Sequence, residues 1–256
     1  MQHFLKILVF FLIPVGLMGQ GELNEDGLDN SSNESTFSIN FNSNGWGVAY
    51  RYAKRLDGFN KRFFEFDYVG IKHPKEIKSY NEINSAQKRF VYGKINQFST
   101  LRIGFGKQKE IFSKTDKGGI AIRYYYSFGV NVGFLKPIYY EVAYPYPNDY
   151  RLYYLVVEKY NFYEQHSEGF VYGKASYFEG FGEMKIKPGG FIKLGSSFDF
   201  STEKNKIRSV EAGFILDVFA DVVPIMATRS NFQLFPSFFV SYRFGKTYSP
   251  RLKNME

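Results

Sequence analysis

The run Pro236-Ser-Phe-Phe-Val-Ser-Tyr-Arg-Phe-Gly245 sets the reading of the whole chain. Val240, Tyr242 and Phe244 alternate with Phe239, Ser241 and Arg243, so one face is apolar and aromatic while the other grows polar. A period of two is that of a β-strand, whose successive side chains point to opposite faces.

The same alternation recurs from Thr36 onward, interrupted by turn residues, which is the weak per-segment pattern of membrane-crossing strands. Twelve runs are read, near 36–42, 45–56, 61–72, 88–97, 99–113, 118–129, 131–145, 150–160, 168–178, 183–201, 206–219 and 232–244. The expected fold is all-β, an antiparallel up-and-down transmembrane β-barrel of about 12 strands. Merging the first two runs and omitting 150–160 gives 10 as the alternative. Numbered up and down, the twelve put His73–Gln87 and Ala220–Asn231 on the outer side and Thr202–Asn205 on the inner side.

Composition supports the class. Tyr (21) and Phe (29) carry nearly all of the aromatic content beside a single Trp, as suits strands and membrane-interface belts. Beyond residue 19 no apolar run reaches the length of a spanning helix, and a closed barrel is the other way to satisfy every backbone group in lipid. Met1 to Met18, with Lys6 ahead of an apolar run, reads as a cleaved signal peptide ending near Gly19. Residues 20–35 are acidic and rich in Asn, Ser and Gly and read as a flexible leader. The barrel is expected over 36–245, followed by a tail at 246–256. With no Cys, the chain has no disulfide, thiolate metal site or lipoprotein anchor.

The residues opposite the aromatic stripe are Arg51, Glu65, Asp67, Arg102, Arg123, Glu141, Glu211, Asp217 and Arg243. Arg or Lys facing lipid at midplane costs about 2–4 kcal/mol, so the stripe is expected to face lipid and these charges the lumen. Signs are mixed. A single-sign ring would point to ion selectivity, whereas a balanced set is expected to form an ion-paired plug. Glycines at 93, 104, 106, 133, 173, 195 and 213 are expected inside the barrel, where they fit tight curvature or close packing of large lumen side chains.

Catalytic patterns are thin. Beyond the signal only His73 and His166 occur, and no HExxH, GxSxG, P-loop or complete GxGxxG is present. His166 with Glu164 and Ser167 reads as a polar turn. No cofactor, metal or catalytic residue is expected. The net charge of +8 is dispersed singly between aromatics with no nucleic-acid-binding signature, so nucleic acid is not expected as a partner. Lipopolysaccharide phosphates are the expected anionic contact, at Lys107, Lys109, Lys114 and Lys117 near an outer rim. One internal echo stands out: Phe90-Val-Tyr-Gly-Lys94 recurs verbatim as Phe170-Val-Tyr-Gly-Lys174. It reads either as a duplicated strand set or as shared strand vocabulary.

The closing run resembles the last strand of bacterial outer-membrane β-barrels, with Val240, Tyr242 and Phe244 as the alternating aromatic and apolar signal. That resemblance implies recognition by the barrel-assembly machinery and pairing with the first strand. Gly45-Trp-Gly-Val-Ala-Tyr-Arg-Tyr52, Asp116-Lys-Gly-Gly-Ile-Ala-Ile-Arg-Tyr-Tyr125 and Val240-Ser-Tyr-Arg-Phe-Gly245 are similar in style to small uncharacterised outer-membrane barrels of the Bacteroidota. The resemblance implies an outer-membrane location with both termini periplasmic and brings no catalytic residues. Some members of that group are accessory subunits of larger machines, so a structural or accessory role with other outer-membrane proteins is the first expectation. A small-solute channel is the alternative, and an enzyme acting on envelope lipid or peptide the second.

Overall fold

A computed structural model of the protein describes residues 33–79, 89–114, 118–160, 171–203, 205–227 and 230–248. The expected signal peptide, most of the leader, the end of the tail and His166 lie outside the described residues.

Thirteen strands follow in chain order: β1 (Asn33–Asn42), β2 (Gly45–Arg55), β3 (Asn60–Ile71), β4 (Lys78–Ser79), β5 (Phe90–Val91), β6 (Asn96–Phe112), β7 (Ala121–Pro137), β8 (Tyr139–Tyr146), β9 (Asp149–Lys159), β10 (Val171–Lys174), β11 (Lys185–Asp199), β12 (Lys206–Val223) and β13 (Phe232–Tyr248). Eight of them close a barrel in the order β1-β13-β12-β11-β7-β6-β3-β2, with every neighbouring pair antiparallel. The seam between β13 and β1 pairs Phe244 with Phe37, Tyr242 with Ile39 and Val240 with Phe41. The barrel strands begin at Asn33 and end at Tyr248, three residues beyond the expected limits on each side.

The expected counts of twelve and ten are both wrong: the barrel has eight strands. Three differences account for it. The runs read at 118–129 and 131–145 are one continuous barrel strand, β7, passing through Gly129 without a turn and followed by β8. The run at 88–97 ends in a turn at Gly93, whose φ is +76°, and only its last residues enter β6. The runs at 150–160 and 168–178 do form strands, but these pair with β8 in a separate three-stranded sheet, β10-β8-β9.

One end of the barrel carries both ends of the described strands and the connections 56–59, 113–120 and 200–205; we call it the terminal end. The other, the loop end, carries the two-residue turn 43–44, the connections 72–95 and 138–184 with the smaller sheets, and 224–231. The wall is uneven: β1, β2 and β3 have 10, 11 and 12 residues, and the other barrel strands 15 to 18.

Outside, the strands present a continuous apolar face. On β13 this is Leu234, Pro236, Phe238, Val240, Tyr242 and Phe244. At about 3.3 Å per residue and a tilt of about 40°, the ten-residue step from Leu234 to Phe244 rises about 25 Å, the height of a membrane apolar band. Toward the terminal end the outward positions turn basic: Lys54, Arg62, Lys107 and Lys109 on β2, β3 and β6, and Lys206, Arg208 and Lys246 on β12 and β13. Inside, aromatic rings fill the space that glycines leave. A Cβ on Gly104 would meet Phe191 at 2.5 Å, and one on Gly106 would meet Phe63 at 2.3 Å.

Candidate functional site

The lumen is layered, and each layer follows from which odd or even positions of the strands turn inward. The middle holds four cations, Arg51, Arg102, Lys193 and Arg243, against four carboxylates, Glu65, Asp67, Glu211 and Asp217. Each of these eight side chains is at most 4 % exposed.

Two linked clusters make up the network. In the first, Glu65 accepts from Arg51 Nε at 2.5 Å, Lys193 Nζ at 2.6 Å and Arg243 Nη2 at 3.1 Å. Glu211 accepts from Arg51 Nη1 at 2.8 Å, Arg243 Nε at 2.9 Å and the Tyr125 hydroxyl at 2.9 Å. The Arg51 guanidinium also lies 4.3 Å from the centre of the Phe63 ring and 4.5 Å from that of Tyr125. In the second, Arg102 donates to both oxygens of Asp217 at 2.7 Å and to Asp67 at 3.1 Å. Asn40 completes Asp67 at 3.0 Å and Asn131 completes Asp217 at 2.9 Å. Lys193, 3.7 Å from Asp67, joins the two clusters.

Apolar and charged layers flank this core. On its loop-end side Val69, Ile71, Phe98, Leu135, Phe219 and Phe235 close the bore. Ile225 and Met226, from the connection after β12, insert into the same cluster. On the terminal-end side Lys61 pairs with Glu34, Arg123 bonds Glu110 at 2.8 Å and reaches Asp199 at 3.2 Å, and Lys114 bonds Asp199 at 2.9 Å.

Of the nine residues expected in the lumen, Arg51, Glu65, Asp67, Arg102, Glu211, Asp217 and Arg243 meet in the central network. Arg123 belongs to the terminal-end layer. Glu141 is a correction: it stands on β8 beyond the barrel, opposite Val157 and Gly173, because the chain leaves the wall at Pro137. Lys193 was missed. It is the lone charge in Phe191-Ile-Lys-Leu-Gly195, and its inward position follows from the same alternation. The closing-strand residues Val240, Tyr242 and Phe244 all face outward on the strand that seals the barrel.

The lysines expected at an outer rim also need correction. Lys107 and Lys109 lie on the outside of β6 toward the terminal end, Lys114 bonds into the lumen mouth, and Lys117 is outside the described residues. With no barrel strand at 88–97, β6 and the start of β7 run opposite to the expected direction, and the connection 113–120 moves to the end holding the termini. His73 Nε2 lies 3.0 Å from the Ser230 carbonyl and its ring stacks on Phe232, tying the connection after β3 to the segment that opens β13. Among the described residues no cluster of three or more His, Asp or Glu is arranged to hold a metal.

No family model matches the chain, and no curated protein matches it. Among solved structures, the chain is similar to Neisserial surface protein A (NspA), with a TM-score of 0.44 and 8% identity over 86% of this chain and 97% of that one. It is also similar to Ail, the attachment invasion locus protein of Yersinia pestis, solved with the heparin analogue sucrose octasulfate (TM-score 0.40, 7% identity, 86% and 99% covered). A third is the N-terminal β-barrel domain of Pseudomonas aeruginosa OprF (0.33, 10%, 86% and 98%). Similarity at this level leaves the reading of this chain to its own geometry.

Proposed function

We propose that the protein is an outer-membrane barrel that seals its own lumen and serves a structural or accessory role in the envelope. The carrying observation is the buried central network, in which four cations and four carboxylates neutralise one another across the full width of the bore. A selectivity filter needs loosely held charge of one sign facing water. Here every central charge is spent on a partner.

The membrane reading rests on the outward apolar band and on the basic side chains along its terminal edge, where long Lys and Arg stems snorkel to lipid headgroups. The two longest connections, 72–95 and 138–184, lie at the end away from the termini, which supports a periplasmic terminal end and an outward loop end. Val240, Tyr242 and Phe244, exposed on the sealing strand, support the assembly-signal role. The style shared with Bacteroidota barrels supports the accessory reading, and the loop-end sheets are the surface available to envelope partners.

Reconstitution in planar bilayers tests this directly. A silent membrane is expected, together with a discrete larger complex when the tagged protein is purified from its own outer membrane in mild detergent. Steady ohmic conductance steps from the wild-type protein would overturn the sealed-lumen reading.

A further inference from the structure

The repeated pentapeptide has a meaning that strand repetition does not supply. Its first copy is β5 and the turn after it; its second ends in β10. The copies pair with different neighbours, β4 and β8, and the phenylalanines that follow them diverge: Phe98 is buried in the lumen and Phe178 is 79 % exposed. What they share is a destination. Phe90 and Val171 enter one apolar cluster around Ile138 and Tyr140, and Lys94 and Lys174 line one pocket.

That pocket, at the loop end, is lined by Lys72, Lys78, Arg89, Lys94 and Lys174, with Glu76 as the single carboxylate among the described residues. Its centre is built rather than draped. Gly93, at positive φ, makes the turn that no Cβ-bearing residue adopts easily, and its carbonyl accepts from the Ala227 N–H at 2.8 Å. The N–H of Ile95 donates to Ile225 at 3.0 Å, and the Tyr140 hydroxyl donates to the carbonyls of Val91 at 2.9 Å and Lys94 at 3.2 Å. The Lys94 ammonium bonds Glu76 at 2.6 Å, and the same Glu76 oxygen is held by the His73 N–H at 2.9 Å.

Lys174 is the residue this arrangement leaves unbalanced. It is half-buried, makes no ion pair among the described residues, and lies 5.9 Å from the centre of the Tyr177 ring. Burial, and then the neighbouring Lys94 charge, lower its pKa from the ordinary lysine value. Among the described residues the two part-buried ammonium groups share one carboxylate, and a doubly negative group placed between them would supply the second counter-charge. Trp46 and Gly70, outward-facing partners across β2 and β3, form part of the rim, so the pocket opens where the wall is lowest.

We propose that this pocket binds a dianionic phosphate group, with Lys94 and Lys174 as its direct ligands. The phosphate is carried either by a membrane lipid headgroup or by a soluble phosphate ester. The site goes beyond the sealed-lumen reading and does not depend on it.

The test uses the full-length protein in phosphatidylcholine nanodiscs, with two probes. Glucose 1-phosphate is titrated calorimetrically, and bis-phosphorylated lipid A, mixed into the discs, is scored by native mass spectrometry. The variants are K174M, which removes an ammonium with no ion pair, and K107M/K109M, which removes two charges at the other end. Binding of either probe that falls at least about tenfold in K174M and stays within about twofold in K107M/K109M is the expected result. Lipid A alone identifies a lipid source, and glucose 1-phosphate a soluble one. No binding of either probe at millimolar concentration, or the same loss in both variants, overturns the proposal. Heat-modifiable gel migration confirms that each variant is folded.

Discussion

Arg102 on β6 holds Asp217 on β12 through two parallel hydrogen bonds of 2.7 Å, straight across the bore, with neither side chain exposed at all. Two wall strands, β7 and β11, separate them around the circumference. The pair therefore acts as a strut between opposite sides of the barrel, in the planar two-point geometry that guanidinium offers and ammonium does not.

Removing the strut is expected to be severe. Arg102→Met leaves Asp217 buried without its cation and Asp67 with Lys193 alone, and should cost about 3–5 kcal/mol. Lys159→Ala, which breaks the exposed pair with Glu183, should leave stability nearly unchanged. Urea unfolding in lipid vesicles, followed by the fluorescence of the single tryptophan, Trp46, measures both.

Gly106 tests the packing of rings over glycines. A Cβ there would meet the Phe63 ring at 2.3 Å and the Tyr126 carbonyl at 2.4 Å, so Gly106→Val should cost about 1–3 kcal/mol. At Gly70 the nearest atom is 3.9 Å away, and Gly70→Ala should change stability by less than about 0.5 kcal/mol in the same assay.

The outer band predicts a depth profile. Phe238, 71 % exposed among apolar neighbours, should cost about 2–4 kcal/mol when replaced by Arg if it faces the hydrocarbon. Val240→Arg, Tyr242→Arg and Phe244→Arg, progressively nearer Lys246, should cost less, falling to about 0–1 kcal/mol at the interface. A flat profile, equally mild at every depth, would mean that this face is not in lipid.

The β8–β9 hairpin should be dispensable for the barrel. Ala143 and Leu155 face each other across it, so joining them by Asn-Gly in place of residues 144–154 shortens the hairpin without touching a wall strand. Heat-modifiable migration should persist, and its loss would show that the outer sheet helps to fold the wall.

Alternation along each strand was legible in the sequence, and with it the sidedness of Arg51, Glu65, Asp67, Arg102, Glu211, Asp217 and Arg243. Strand number was not. β8, β9 and β10 alternate much as wall strands do, but their hydrogen-bond partners are one another, and partner choice is a long-range outcome that periodicity does not carry. Glu141 was misplaced for this reason. Gly129 was read as a break, although in β7 it sits mid-strand, where its missing side chain lets the Ile103 carbonyl come within 2.1 Å of an ideal Cβ position. Lys174 was visible only as half of a repeated word, since its significance depends on Lys94 being beside it in space.

The uneven wall has a last effect at the seam. β1 ends at Asn42, opposite Phe239, while β13 runs on to Phe232, so among the described residues no strand pairs with the upper part of β13 on that flank beyond the Ser43 turn. Phe238 directs its N–H to the Ser43 hydroxyl and its carbonyl to the Ser43 N–H, both toward β1. Two residues further on, Pro236 points the same way and has no N–H to leave stranded. An open strand flank is a docking template for any other extended chain, and proline at that position denies the template a donor, so that this barrel can stop short of full-height closure without inviting edge-to-edge self-association.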